Sequence, residues 1–266
     1  MKPKLVVVGA AGRMGRRILS LAAEQGRFEV IGAVEKKGHF EIGECACPAT
    51  AGVSSISFDS VYPPGADVVV DFSSPEGTDG TVGYCLKNKS ALVLGTTGLD
   101  EKKILEISVA AKKIPVLYST NTSVGMNILF SLAGKAAKML GGRYDIEIIE
   151  QHHRFKKDAP SGSALTLAEN ICKTTGRKFP DSLVYGREGK SSARKEGTIG
   201  VHSVRAGDIT GVHSVIFSTM GETITLNHTA HSRDTFAAGA LHAAEWLVGR
   251  KPALYSMADV LEMKSR

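Results

Sequence analysis

The sequence predicts an α/β protein with a Rossmann-like, doubly wound parallel sheet, followed by a second, α+β domain. Short apolar runs alternate with helical patterns over residues 4–118, as in a parallel sheet with helical connections. A glycine-rich turn joins the first apolar run to the first helical pattern. Beyond residue 123 the pattern changes to longer runs separated by polar turns, which predicts an open mixed or antiparallel sheet.

The first part of the chain contains apolar runs with little polar alternation, typical of strands that are buried on both faces. Asp100 is the expected N-cap of one of the helices that connect them. The predicted strands are residues 4–8, 28–34, 66–72, 91–94 and 114–118, and the predicted helices are residues 13–23 and 100–112.

The second part predicts helices at residues 126–140, 164–172 and 233–248, a strand at 144–151, and an antiparallel meander over 197–231. The polar residues 176–195 predict a mobile loop. We therefore expect a dinucleotide-binding domain over residues 1–122, joined by the C-terminal segment 236–266, and a second domain over residues 123–235.

Composition narrows the class of protein. The chain has 266 residues and a formal net charge of +6, and it lacks the long basic blocks that would favour nucleic-acid binding. Its four cysteines include a single C-x-C at Cys45 and Cys47, which predicts neither a zinc site nor a disulfide framework. No signal peptide or membrane-spanning segment is expected, so the predicted location is the cytoplasm.

Three glycines follow the first predicted strand. Gly9, Gly12 and Gly15 form a loose dinucleotide fingerprint, in which glycine lets a pyrophosphate approach the backbone at a helix N-terminus. Glu35 ends the second strand, where a ribose-binding carboxylate belongs. Glu35 favours NADH, whereas the following Lys36–Lys37 could pair with the 2′-phosphate of NADPH, so both cofactors stay open. The alternative is a glycine-rich turn that binds nothing.

Two further polar turns follow predicted parallel strands. They are Gly95–Gly98 and Ser119–Thr122. Ligands gather at the carboxyl ends of strands in such sheets, so these turns are candidate edges of the cofactor site. As isolated motifs both are weak, because many turns between strand and helix have this composition.

The stretch EQHHRFKKDAPSGSAL concentrates proton-handling and basic side chains before a helix. His152 ends a predicted strand and suits proton transfer near neutral pH. Lys156 supplies positive charge, and residues 161–163 open a helix whose N–H groups suit a carboxylate. Together they predict a site that holds an anionic small molecule and protonates it. The alternative is a basic surface loop, which is our interpretation for Arg154 and Lys157.

No metal site is predicted. His152 and His153 are adjacent on a strand, so their side chains point to opposite faces and do not suit one metal ion. We expect the remaining histidines to be mostly structural or exposed: His39, His202, His213, His228, His231 and His242.

Six motifs together resemble the 4-hydroxy-tetrahydrodipicolinate reductase (dihydrodipicolinate reductase) family over nearly the whole chain: GAAGRMG, GTTG, SVGMN, EQHHRFKKDAPSGSAL, GDITG and HSRDTFAAGALHAAEWL. The resemblance implies a two-domain enzyme that transfers hydride from NADH or NADPH to a cyclic dicarboxylate in the diaminopimelate route to lysine. It also implies a homotetramer built through the second domain, which would bind the substrate.

The resemblance implies a role for individual residues. His152 would be the general acid and Lys156 its catalytic partner, with His153, Gly162 and Ser163 contacting the substrate. The cofactor contacts would be Gly9, Ala10, Ala11, Gly12, Arg13, Met14, Glu35, Lys36, Gly95, Thr96, Thr97, Ser119, Thr120, Asn121 and Thr122.

Three positions depart from the family pattern. The family commonly has Phe at Thr122, Thr at Ser163 and Glu at Val212, so the nicotinamide contact at Thr122 is the one most affected. Two other functions stay open from the sequence alone. One is another two-domain nicotinamide-dependent dehydrogenase, and the other is a regulatory protein that binds NAD(P) without chemistry.

Overall fold

The computed structural model describes residues 1–47, 55–190 and 192–263. In chain order its strands are β1 (Lys4–Val8), β2 (Glu29–Val34), β3 (Cys45–Cys47), β4 (Ile56–Asp59), β5 (Val68–Asp71), β6 (Ala91–Leu94), β7 (Pro115–Tyr118), β8 (Asp145–His152), β9 (Leu183–Tyr185), β10 (Ile199–Arg205), β11 (Gly211–Thr219), β12 (Glu222–Ala230) and β13 (Ala253–Tyr255). Its α-helices are α1 (Arg13–Gln25), α2 (Thr78–Asn88), α3 (Glu101–Ala110), α4 (Val124–Leu140), α5 (Gly162–Thr175), α6 (Asp234–Leu247) and α7 (Met257–Val260).

The chain divides into two compact units. One unit comprises Met1–Val124 together with Arg233–Arg266, and the other comprises Gly125–Ser232. Residues 48–54 and 264–266 of the first unit lie outside the described residues, as does residue 191 of the second. The assignment of cofactor and substrate binding to these two parts of the chain stays a prediction.

Among its described residues, the first unit contains an eight-stranded sheet in the order β13-β7-β6-β5-β1-β2-β4-β3. Every pairing is parallel except that of β3 with β4, as the alternation of strand and helix predicts. Successive residues of β1 enter opposite cores: Leu5 and Val7 pack on one face, and Val6 and Val8 on the other. The prediction of a doubly wound parallel sheet is confirmed.

Helix ends in this unit follow local sequence signals. The Asp100 side chain accepts a hydrogen bond from the backbone N–H of Lys103 at 2.8 Å, as its predicted N-cap role requires.

Helix α6 packs against α1 in one of the two cores of the first unit, through Ala237, Ala240 and Leu241 among others. The C-terminal segment therefore belongs structurally to the first unit.

The described part of the second unit contains a five-stranded sheet in the order β12-β11-β8-β10-β9. The predicted antiparallel meander is wrong for β10, which pairs parallel with both β8 and β9, whereas β11 is antiparallel to β8 and β12. Residues 206–210 connect β10 to β11 across β8, which lies between these two strands at the centre of the sheet. The sheet is mixed, in agreement with the predicted fold class.

The prediction of a mobile loop over residues 176–195 is also wrong in part. Strand β9 lies within it and pairs with β10. The arginines on either side of residue 191 are tied to the sheet: Arg187 binds Glu147 through both terminal nitrogens, and Arg194 donates to Glu147 at 3.0 Å and to Asp145 at 2.8 Å. Some of the polar residues that suggested a loop therefore form ion pairs with β8.

Strand β8 sets the position of the site in this unit. Its residues alternate regularly, so that Ile146 and Ile148 face a core built with α4 and α5. Glu150 and His152 continue along the same face to the end of the strand, and both are buried. None of the described helices is long and apolar enough to cross a membrane.

Candidate active site

The glycine turn between β1 and α1 requires glycine for steric reasons. Gly9 has φ of +70°, and a Cβ there would lie 2.8 Å from the carbonyl oxygen of Phe72. A Cβ on Gly15 would lie 2.2 Å from the carbonyl oxygen of Gly9. Gly12 caps α1 without a side-chain hydrogen bond, so no cap side chain occupies the first N–H groups of the helix, which suits a phosphate.

A cavity of about 710 Å³ lies beside this turn, at the carboxyl ends of β1, β2 and β5. It is lined by Gly9, Gly12, Glu35 and Lys36, among others. The Glu35 carboxylate accepts hydrogen bonds from the backbone N–H of Ala11 at 3.2 Å and of Lys36 at 2.9 Å, which hold it at the rim. The residues present therefore fit a dinucleotide, with phosphates at the helix and a ribose at Glu35.

The other predicted cofactor residues of the glycine turn differ in exposure. Ala10 is buried and its N–H donates to the carbonyl of Val34 at 3.1 Å, so it holds the turn rather than presenting a side chain. Arg13 is exposed and Met14 half-buried at the start of α1. Their contact with a cofactor stays a prediction.

The turn after β6 is packed more tightly than its composition suggests. A Cβ on Gly95 would lie 2.3 Å from the ring of Phe72. Thr96 is buried and its hydroxyl donates to the carboxylate of Asp71 at 3.1 Å, whereas Thr97 is exposed. Only Thr97 of the two threonines therefore presents its side chain to solvent at this edge of the sheet.

The turn after β7 is held by its own polar groups. The Ser119 hydroxyl donates to the carbonyl of Asn121 at 2.7 Å, and Thr120 is exposed. Thr122 is buried and donates its hydroxyl to the carbonyl of Phe236 at 2.7 Å. The close approach of α6 is possible because position 239 is glycine: a Cβ there would lie 1.9 Å from the carbonyl oxygen of Thr122. Thr122 is thus bound to the fold through its side chain.

In the second unit the proton-handling side chains meet around one buried carboxylate. Glu150 is fully buried, and its Oε2 binds Nδ1 of His152 at 2.5 Å. Arg205 donates to both carboxylate oxygens, at 2.8 and 2.7 Å, and the backbone N–H of Ser161 donates to Oε1 at 3.0 Å. Burial favours the neutral acid, but hydrogen bonds from His152 and Arg205 prevail and hold the pKa of Glu150 well below its usual range.

A second buried histidine lies beside the first. The rings of His152 and His213 meet edge to face, with centroids 5.1 Å apart. His213 Nε2 is 3.2 Å from the Ser161 hydroxyl, which also accepts the N–H of Ala164 as the N-cap of α5. Burial, with the nearby charge of His152, lowers the pKa of His213 to about 3, so this ring is neutral.

Lys156 lies in the loop between β8 and α5 and is partly buried. Its ammonium pairs with the carboxylate of Asp158 at 2.9 Å rather than with His152. An ammonium has three donors, so this pair leaves donors for a further anion. The Asp158 carbonyl in turn accepts a hydrogen bond from Arg205 at 2.6 Å, which ties this loop to β10.

The predicted substrate contacts lie at the same end of the sheet. His153 directly follows β8, and Gly162 and Ser163 are the first residues of α5. A Cβ on Gly162 would meet no atom within 4 Å, so there is free space beside the N-terminus of this helix. Their contact with a substrate stays a prediction.

Three members of this cluster were not among the site residues predicted from the sequence: Glu150, Arg205 and His213. One signal could have identified Glu150, because it lies two residues before His152 on a strand and must share its face. Arg205 and His213 come from distant strands, and only the register of β10 and β11 against β8 brings them there. Among the described residues, no group of three or more His, Cys, Asp or Glu side chains could hold a metal ion.

Comparison with known proteins identifies the family. The family model described as "Dihydrodipicolinate reductase, N-terminus" matches residues 3–122, and the one described as "Dihydrodipicolinate reductase, C-terminus" matches residues 125–261. The chain belongs to the dihydrodipicolinate reductase family. The resemblance that the sequence motifs indicated is therefore confirmed.

Relatives of this reductase-family chain extend over its whole length. It is 43% identical to 4-hydroxy-tetrahydrodipicolinate reductase of Alkalilimnicola ehrlichii, over 98% of this chain and 99% of the relative. It is also 43% identical to the protein of the same name from Thiobacillus denitrificans, over 99% of this chain and 100% of the relative. These relatives are reductases, and the chain is an oxidoreductase.

A solved structure agrees with the fold. Dipicolinate-bound dihydrodipicolinate reductase from Paenisporosarcina sp. TG-14 superposes with a TM-score of 0.73 at 22% identity, over 97% of this chain and 99% of that one. This likeness supports the Rossmann-like arrangement of the first unit and the mixed sheet of the second.

Proposed function

We propose that the protein reduces 4-hydroxy-tetrahydrodipicolinate to tetrahydrodipicolinate in the diaminopimelate route to lysine. The observation that carries the proposal is a histidine held by a buried carboxylate at a strand end, beside a lysine and an open helix N-terminus. A nicotinamide cofactor bound at the glycine turn would supply the hydride. The full-length relatives of the same activity support this choice of substrate.

His152 is the residue proposed to supply the proton. Its Nδ1 is bound to Glu150, so Nε2 is the nitrogen available to a substrate. A protonated imidazole with one nitrogen anchored can deliver its other proton in a defined direction. Reduction of the substrate requires one hydride and one proton, and its 4-hydroxyl group leaves as water. The hydride would come from the nicotinamide and the proton from His152.

A dicarboxylate substrate matches the charge and geometry around His152. The N-terminus of α5 offers backbone N–H groups and partial positive charge to one carboxylate. Lys156 offers an ammonium with donors beyond those used by Asp158. We propose His153, Gly162 and Ser163 as further substrate contacts, since all three lie at the same end of β8 and α5.

We propose that both NADH and NADPH serve as hydride donors, with NADH preferred. The Glu35 carboxylate is held at the rim of the cavity by two backbone N–H groups, where it would bind ribose hydroxyls and repel a 2′-phosphate. The exposed Lys36 and Lys37 beside it reduce that repulsion. Replacing Glu35 with Gln should therefore raise KM for NADH and lower KM for NADPH.

The experiment for the proposed function follows oxidation of NADH or NADPH at 340 nm with freshly generated substrate. We expect turnover that requires the substrate and is lost in His152→Gln and in Lys156→Ala, both of which should still bind cofactor. Cofactor binding without any oxidation would instead favour a regulatory NAD(P)-binding protein. Oxidation with other keto or imino acids but not with this substrate would favour a different dehydrogenase.

We propose a homotetramer that works in the cytoplasm. Strand β12 is nine residues long, pairs only with β11 among the described strands, and has exposed residues over 222–225. Such an edge suits pairing with another copy of the chain. All four cysteines are free thiols, which suits a reducing compartment. Light scattering after size-exclusion chromatography tests the tetramer, and cell fractionation tests the location.

A further inference from the structure

The Glu150 carboxylate has a different set of partners from the other carboxylates of its strand. Among the described residues, its two oxygens accept two hydrogen bonds from Arg205, one from the backbone of Ser161 and one from His152. Three of these hydrogen bonds come from two guanidinium N–H groups and a backbone N–H, which can only donate. Glu150 is therefore an acceptor, and the proton it shares with His152 lies on Nδ1 of the imidazole.

The opposite nitrogen of the same ring faces a glycine. A Cβ on Gly211 would lie 3.3 Å from Nε2 of His152 and 3.5 Å from Cδ2. Any side chain at this position would crowd the edge of the ring that carries Nε2. The neighbouring His213 approaches edge to face and is neutral, so it does not compete as a second acid.

We propose that Glu150 is the positioning residue for His152: it binds Nδ1–H, fixes the ring, and so leaves the proton on Nε2 as the one that reaches the substrate. Arg205 keeps Glu150 ionised. It also donates a hydrogen bond to the carbonyl of Asp158, which anchors the loop that carries Lys156. The inference rests on the proposed function, because it assigns the direction of the proton transfer in that reaction.

The same strand provides a matched control. Glu147 also lies on β8 and binds Arg187, Arg194 and His202, but it alternates to the other face of the sheet, away from His152. Replacing Glu147 with Gln removes an arginine-bound carboxylate that makes no contact with the His152 ring. A general loss of stability would affect both variants, whereas loss of positioning would affect only Glu150→Gln.

The experiment measures kcat, KM and the tautomer of His152 in each of several proteins. The enzyme, its variants E150Q and E147Q, and the double variant E150Q/R205Q are prepared with 15N-labelled histidine, and H152Q identifies the His152 signals. The double variant removes both members of the buried ion pair, so that no isolated charge is left to unfold the protein. Fluorescence titration with NADH checks that each variant retains its cofactor site.

We expect the neutral His152 of the wild type to carry its proton on Nδ1. In E150Q and in the double variant we expect a mixture of tautomers and a fall in kcat of about 100-fold or more, with KM changed much less. E147Q should keep kcat within about twofold, since it leaves the ring untouched. These results together would support the inference.

Wild-type kcat in either Glu150 variant, or an unchanged His152 tautomer in them, would overturn it. If neither Glu150 variant folded, the wild-type spectrum would still decide, because a neutral ring protonated on Nε2 contradicts the assignment. Failure of the wild type to oxidise NADH with the substrate would contradict the proposed function. The 15N spectra alone would then test whether Glu150 fixes the tautomer of His152.

Discussion

The glycine turn of the first unit and the His152 cluster of the second achieve binding by different means. At the glycine turn the backbone forms the candidate binding surface, and side chains are excluded because a Cβ on Gly9 or Gly15 would collide with neighbouring carbonyls. Around His152 the side chains form the site: one buried carboxylate joins β8 to β10 and to the N-cap of α5, and that N-cap in turn contacts His213 of β11. The first kind of site is visible in a short motif, whereas the second depends on the register of a sheet.

The largest expected effect lies at the proton donor. We expect His152→Gln to lower kcat by about 10³-fold, because the substitution removes the acid while keeping a polar side chain of similar length. Cofactor affinity should change by less than about threefold, since the glycine turn belongs to the other unit. The assay is NADH oxidation at 340 nm with NADH fluorescence titration. Equal loss of turnover and of cofactor binding would show that the two sites do not act separately.

The next effect concerns the glycine turn. Gly9→Ala should destabilise the protein by about 3 kcal/mol, from positive φ together with collision against Phe72. Gly65→Ala is the matched control, since Gly65 has φ of +84° and its Cβ would meet no atom within 4 Å. Urea unfolding of both variants separates backbone strain from the close approach. Equal loss of stability in the two would mean that the collision is relieved at little cost.

A third effect is the pH dependence of stability at His213. Its pKa is lowered to about 3 by burial and the charge of His152, whereas the unfolded chain has an ordinary histidine pKa of about 6.5. The unfolded state therefore binds the proton first, and stability falls as the pH drops below about 6.5. Between pH 7.5 and pH 5 this amounts to about 2 kcal/mol.

The test compares urea unfolding of the wild type and of His213→Gln at both pH values. The variant should lose less stability on acidification, because glutamine does not titrate in this range. His242→Gln serves as a control that leaves this cluster unchanged. The prediction is contradicted if all three proteins lose the same free energy of unfolding.

The smallest effect tests whether Thr122 serves the fold or the cofactor. Thr122→Val removes the hydrogen bond to the Phe236 carbonyl and should lower the free energy of unfolding by about 1 kcal/mol. Thr120→Val, at an exposed neighbour, should change stability by less than about 0.5 kcal/mol. We expect NADH affinity to be unaltered in Thr122→Val. A weaker affinity at unchanged stability would assign the hydroxyl to the cofactor site.

Particular elements show how far the sequence could be interpreted. The strand and turn at residues 4–15, the N-cap at Asp100 and the end of β8 at His152 depend on neighbours in the chain, and local patterns located them to within a few residues. The direction of β10 depends on its pairing with β8 and β9, which no local pattern reveals. Polar residues around β9 suggested a loop, because their partner, Glu147, is distant in sequence.

The sequence by itself determined the family, the doubly wound sheet and the identity of the residues proposed for the chemistry. These follow from the order of apolar runs, from glycine spacing and from one long motif, all of which are properties of neighbouring residues. Only the tertiary structure decided that Glu150, Arg205 and His213 surround His152, and that Thr122 is bound to α6. Those contacts join residues far apart in the chain, and their geometry is set by strand register and helix packing.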